Sequence, residues 1–222
     1  MRIVIAGGHG RIALLLERLL AERGDHVVGL VRNPAHAADV QAAGAEAVVC
    51  DLEAASAGQV AELLRGADAV VFAAGAGPGS GASRKDSVDR AASVLMADAA
   101  EQAGVRRFVQ VSSMGAGQPP RPGSDEVWAA YITAKTAAED DLRDRALHWT
   151  ILRPGSLTDA PASGTVRLAV PSVPAGSVPR ADVAGSSPPC SANQVPGTRR
   201  WSWSAETLRS PRPYAACPSR PS

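Results

Sequence analysis

The chain has little of several things, and each shortage closes off a class of function. Aromatic residues make up 4% of its 222 residues, too few for a platform that stacks unpaired nucleobases. Lysine and arginine total 23 against 22 aspartate and glutamate, so neither sign of charge dominates. A balance that even leaves no electrostatic footprint for nucleic acid or an anionic membrane surface. No apolar run reaches about 18 residues, so no spanning helix is expected. The three cysteines, Cys50, Cys190 and Cys217, have no Cys-x-x-Cys spacing and are too few for a disulfide framework. The histidines, His9, His26, His36 and His148, are scattered, so no metal site is expected. The segment Met1-Arg2-Ile3-Val4-Ile5-Ala6 runs directly into a strand pattern, without an apolar signal core or cleavage site. The expectation is a cytoplasmic protein that acts on a small-molecule substrate, with neither nucleic acid nor membrane as partner.

What is present is alternation. Short apolar runs at 2–6, 26–31, 46–50, 68–73, 107–112 and 149–152 read as buried strands. Between them lie helical patterns, the first carrying Ile12, Leu15, Leu16, Leu19 and Leu20 on one face and stopped by Gly24. Further helices are expected over 34–43, around 60–64, over 83–102 and over 125–147. Strict alternation of strand and helix gives a parallel sheet with helices on both faces. The expected fold is α/β: a Rossmann-type, doubly wound sheet of order 3-2-1-4-5-6, with ligand at the C-terminal strand ends.

Gly7-x-x-Gly10-x-x-Ala13 sits between the first strand and the first helix. Glycine there lets the backbone turn tightly and approach a pyrophosphate, and the helix start at Arg11 and Ile12 offers free N–H groups and a positive dipole end. About twenty residues on, an NAD site carries an acid for the ribose 2′-hydroxyl; this chain has Arg32, which suits a 2′-phosphate. Arg11 adds a second positive group, so NADP is expected over NAD. The glycine-rich loop 75–81 is followed by no Gly-Lys-Ser/Thr and reads as a lid rather than a phosphate cradle.

Tyr131 and Lys135 are four residues apart on an expected helix and project from one face. Ser112 and Ser113 end the fifth strand, at the edge where ligands bind. A lysine beside a phenol stabilises phenolate, and a serine hydroxyl holds a carbonyl oxygen while the tyrosine moves a proton. The bland reading of the same spacing is a packed ring and a surface charge.

Gly7-x-x-Gly10, Arg32, Asp51-Leu52, Ala73-Ala74-Gly75, Val111-Ser112-Ser113-Met114-Gly115, Tyr131-x-x-x-Lys135 and Arg153-Pro154-Gly155 occur in that order. The region 1–184 thereby resembles the short-chain dehydrogenase/reductase superfamily, within it the atypical NAD(P)H-binding group related to NmrA-like and epimerase-like proteins. The resemblance implies that Asp51 and Leu52 flank adenine and that Ala73, Ala74 and Gly75 line the nicotinamide ribose. It also implies that Pro154 and Gly155 lie near the carboxamide, and that Ser113, Tyr131 and Lys135 are the catalytic set, with Lys135 also on the ribose. One departure stands out: Asp89 occupies the place where the superfamily often has asparagine. Two functions are therefore carried forward: an NADP-dependent oxidoreductase or epimerase-like enzyme acting on a small carbonyl or alcohol, and a non-catalytic NADP(H)-binding regulator or redox sensor.

After about Ala184 the texture changes. Residues 185–222 hold seven Pro, eight Ser, five Arg and one acid, with no hydrophobic period. An irregular or disordered tail is expected, outside the domain at 1–184. The stretch also reads as out of frame. Taken from the third base of the Arg200 codon, with GC-rich codon choices, Arg200 to Thr207 becomes Val-Glu-Leu-Val-Ser-Gly-Asp. Sequencing the coding DNA checks this. The alternate frame over codons 185–214 is expected to be open and to encode an apolar helix and a strand. A stop codon in that frame, or no such helix and strand, ends the idea.

Overall fold

The computed structural model of the protein describes residues 1–77, 79–120, 123–169 and 174–186, and the backbone of 199–204. Its centre is a parallel sheet of β1 (Arg2–Ala6), β2 (His26–Val31), β3 (Glu46–Val49), β4 (Ala69–Phe72), β5 (Arg107–Val111) and β6 (His148–Pro154). The order is β3-β2-β1-β4-β5-β6, as the alternation predicts. These runs are β-branched and apolar on both faces, as a sheet covered by helices on both sides requires. Successive residues supply opposite cores. Val4, Val28, Leu30, Val70, Phe72 and Phe108 pack with α3 (Ala57–Leu64) and α5 (Ala92–Gln102). Ile3, Ile5, Val27, Val31, Val71 and Val109 pack with α1 (Arg11–Glu22) and α2 (Ala37–Ala42). Each fully buried side chain of this size is worth about 1.5–3 kcal/mol. Strand order reverses between β1 and β4, and the carboxyl ends there open a crevice.

Several boundaries differ from the sequence pattern. The expected helix at 34–43 begins as a 3-10 turn, Pro34–His36, before α2. The helix expected over 83–102 is interrupted: a short α4 (Ala82–Arg84) leads into a π-helical segment, Lys85–Ala91, before α5. A π segment widens the turn and re-aims side chains, and such segments recur at functional sites. The last long helix, α6 (Glu126–Arg143), ends before the expected Leu147. It is capped by Asp125, whose side chain accepts from Trp128 N–H at 3.0 Å.

Beyond β6 the chain forms β7 (Ser156–Thr158), β8 (Arg167–Ala169), β9 (Ser177–Pro179) and α7 (Arg180–Gly185). β7 and β9 pair as a small separate sheet, and α7 packs on α1. Composition predicts no regular structure after Ala184, yet Arg199–Ser204 is a strand, β10. Its backbone pairs in parallel with β6, Arg199 opposite Thr150 through Trp203 opposite Pro154, and β8 closes the far side antiparallel. The pairing satisfies the row of N–H and C=O groups that β6 presents, and ladder bonds need no apolar period. The rest of the tail lies outside the described residues. Among the described residues no helix is long and apolar enough to cross a membrane.

The first helix carries a correction. Leu19, expected on the apolar face, is 40% exposed, while Glu17 is fully buried beside Ala13, Leu16 and Leu20. Gly29 makes the space: a Cβ there would stand 2.6 Å from Glu17 Oε1. Neither carboxyl oxygen of Glu17 has a hydrogen-bond partner, and burial pushes its pKa from 4.5 up to about 8. Between those values the folded chain holds a proton that the unfolded chain has lost, so stability falls as pH rises across that window. The slope is at most about 1.4 kcal/mol per pH unit. Glu17→Gln is expected to remove this loss. Thermal melts should show the variant gaining on the parent from pH 5 towards pH 8, and parallel pH profiles would contradict the assignment.

Candidate active site

β1 ends at Ala6, and the backbone turns at Gly7, whose φ is +79°, a region that favours glycine. A Cβ at Gly7 would lie 2.6 Å from the Cα of Ala74, so β1 and β4 approach here only because the residue has no side chain. Gly10 N–H donates to the Gly7 carbonyl at 2.8 Å and closes the turn. Gly10 then caps α1 with no side-chain hydrogen bond, and the first turn holds no acid. The first N–H groups of α1 are thus open to an anion, with the positive end of the helix dipole behind them.

Two cavities meet at this turn. The first, of about 540 Å³, is bordered by Gly7, Gly10, Arg32, Asp51 and Leu52. The second, of about 1500 Å³, is bordered by Arg11, Ile12, Ser113, Tyr131 and Lys135, with Pro154 and Gly155 at the end of β6. Ala73, Ala74 and Gly75, at the end of β4, border both, so the two are one crevice across the strand ends. The residues expected to bind the cofactor or to act in catalysis all border this crevice. The side-chain-free turn, the open helix N-terminus and the two joined chambers fit a dinucleotide lying across β1 and β4.

In the smaller chamber Arg32 is paired rather than free. Its Nη1 donates to Glu53 Oε2 at 3.0 Å, and Arg84 donates to the same oxygen at 2.6 Å. The Ser87 hydroxyl donates to the other oxygen at 2.6 Å. That hydroxyl, then the two arginines, hold the Glu53 carboxyl below the usual range. His9 of the glycine turn stacks on His36 with ring centroids 3.7 Å apart and meets Asp39 at 2.8 Å. Cys50 is half-buried on the chamber wall, and burial pushes its thiol up. Arg11 points the other way: it is exposed and pairs with Asp159 at 2.6 Å.

In the larger chamber the π segment and α6 face each other. Asp89 and Lys135 are both buried, with Oδ1 and Nζ 3.2 Å apart, an ion pair rather than an aligned hydrogen bond. Lys135 also donates to the Val111 carbonyl at 3.2 Å. Its Nζ lies 5.8 Å from the Tyr131 ring centroid. Asp89 accepts from Ala76 N–H at 3.1 Å, and Lys85 donates to the Gly77 carbonyl at 2.8 Å. The loop read as a lid is therefore pinned at two points. The two serines separate: Ser112 donates to buried Glu139 at 2.6 Å, which also takes Arg153 Nε at 2.8 Å. The half-buried Ser113 hydroxyl has, among the described residues, only its neighbour's carbonyl as partner, at 3.3 Å, and is the serine available to a ligand. Sequence reasoning missed Lys85, Glu53 and Arg84. Lys85, four residues before Asp89, was the available signal, but only the π segment turns both inward.

Residues 7–186 match the family model described as NAD(P)H-binding. The chain is 35% identical over 185 residues to the uncharacterized sugar epimerase YhfK of Bacillus subtilis, covering 83% of this chain and 85% of that one. A protein of Bacillus halodurans described as a NAD-dependent epimerase/dehydratase superposes with a TM-score of 0.82 at 29% identity, over 97% of both chains. ChuY of Escherichia coli, described as an anaerobillin reductase, does so with a TM-score of 0.76 at 26% identity, over 95% of this chain and all of that one. With the glycine turn, the joined chambers and a match spanning most of the sequence, the chain belongs to the NAD(P)H-binding family of Rossmann-fold, epimerase- and reductase-like proteins.

Proposed function

We propose that the protein is an NADP(H)-dependent oxidoreductase or epimerase acting on a small carbonyl or alcohol. The observation that carries this reading is the convergence of Ser113, Tyr131 and Lys135 on a chamber continuous with the glycine turn. When bound, the dinucleotide supplies or accepts a hydride. The rest falls to the chain. Ser113 Oγ holds the substrate oxygen, and the Tyr131 hydroxyl gives it a proton or takes one. Lys135, fixed by Asp89 and the Val111 carbonyl, holds the ribose and the tyrosine's surroundings in place. Pro154 and Gly155, on the wall of this chamber, lie near the carboxamide.

NADP is preferred over NAD because Arg32 and Arg84 both sit against Glu53, which brings two guanidinium groups together beside the end of β2. A 2′-phosphate can take the place of that carboxylate against the two guanidinium groups. NADPH is expected to bind more tightly than NADH. Arg32→Asp should cost about 1.5–3 kcal/mol of NADPH affinity, the worth of a charge-assisted hydrogen bond. Titration of the reduced cofactors' fluorescence reads this, and equal affinities in the unmodified protein would overturn the preference.

The Asp89–Lys135 pair favours a second reading, a protein that binds NADP(H) without turnover, because it compensates the charge that would otherwise act on Tyr131. Consumption of NADPH across quinones, aldehydes and flavins separates the two. Under the enzyme reading, Tyr131→Phe lowers turnover by about 10²–10⁴-fold, the range for a lost general acid, and leaves cofactor affinity nearly intact. Lys135→Ala damages both. Full activity in Tyr131→Phe removes the phenol from the mechanism, and tight NADPH binding with no turnover on any substrate supports the sensor.

A further inference from the structure

The larger chamber holds five cations, Arg11, Lys85, Lys135, Arg153 and Arg180, and four of them are answered by carboxylates. Arg11 and Arg180 share Asp159 at 2.6 and 2.7 Å. Arg153 is held by Glu139, and Lys135 by Asp89. Lys85 is different. It is 7% exposed, yet no carboxylate among the described residues lies within ion-pair distance of it. Asp125, also on the chamber wall, is engaged in capping α6. An ammonium has three donors, and one of Lys85's goes to the Gly77 carbonyl, leaving two for the chamber. Burying a charge without a counter-charge is expensive. The cost is offset if an anion arrives with the ligand.

The position of that anion is defined. Lys85 Nζ lies 5.5 Å from the Tyr131 ring centroid, so a group bound to it sits beside the phenol. Next to it the chamber wall is apolar and open. Trp128 is 49% exposed and Val127 36%, two of the large apolar side chains left uncovered among the described residues. The Trp128 and Tyr131 rings lie 5.4 Å apart, tilted 39° to each other, and form an aromatic shelf on the chamber wall. A flat apolar body on the shelf places a carboxylate at Lys85.

We infer that Lys85 is the anion-binding residue of the substrate site, and that the substrate is an amphipathic acid: a carboxylate carried on a flat, apolar body. This rests on reading the larger chamber as the substrate side of the dinucleotide crevice. Lys85 binds the carboxylate through its two remaining N–H groups, Trp128 and Val127 cover the apolar body, and the reacting carbonyl or alcohol then falls to Tyr131 and Ser113.

The test compares naphthoate with naphthamide, which share shape and differ in charge, by calorimetric titration of the protein with and without saturating NADP⁺. Naphthoate is expected to bind at least about tenfold more tightly, a little over one kilocalorie per mole for one charge-assisted contact. Lys85→Met should erase that preference while naphthamide affinity stays unchanged, and Lys85→Arg should keep it. If Lys85→Met does not fold, Lys85→Gln serves the same comparison. Equal affinity for the two probes, or a preference that survives loss of the cation, overturns the inference. NADPH titration of the same samples keeps the two readings apart. Binding of NADPH without probe preference removes Lys85 alone, and probe preference without NADPH binding removes the dinucleotide reading but not the anion site.

Discussion

A buried ion pair, Asp89 with Lys135, is what the larger chamber is built around. It joins the π segment to α6, and its two partners reach further. Asp89 takes the Ala76 N–H and so sets the path of the loop after β4, while its Oδ1 stands 3.0 Å from where a Cβ on Gly75 would be. Lys135 takes the Val111 carbonyl and so ties α6 to the end of β5. Removing one partner of such a pair leaves an uncompensated buried charge, typically worth about 3–5 kcal/mol, and here it would release three elements at once. A second buried cluster, Ser112, Glu139 and Arg153, does the same one turn further along α6, holding β5 to β6.

The pair also decides where charge lies. Lys135 sits near the tyrosine, as its spacing implies, but its charge is matched by Asp89. The net positive charge beside the phenol belongs to Lys85. An asparagine at position 89 would leave Lys135 as a bare cation. With the aspartate there, the unmatched charge is that of Lys85 instead. The smaller chamber sets two arginines against one glutamate, with Asp51 also on its wall.

The sheet was legible because each strand is a short, two-sided apolar run and each crossover a helical period, so order and layering follow from chirality and burial alone. The glycine turn was legible because position 7 must lack a side chain, a constraint visible in the residue itself. Other features depend on contacts between distant residues, which no local pattern shows. Glu17 reads as a surface acid on an amphipathic helix; only the void left by Gly29 on the next strand lets it inside. Lys85 reads as a solvated charge until an irregular turn rotates it inward. Arg32 is plain in the sequence, but its partner Glu53 lies 21 residues on. β10 was missed because backbone pairing along β6 leaves no mark in composition.

Whether one dinucleotide spans both chambers is tested most directly by a crystal structure with NADPH. The pyrophosphate is expected on the N–H groups at the start of α1, the 2′-phosphate against Arg32 and Arg84 with Glu53 displaced, and the nicotinamide facing Tyr131. A dinucleotide bound elsewhere, or an adenosine half seated correctly with its nicotinamide turned away from Tyr131 and Ser113, would contradict it.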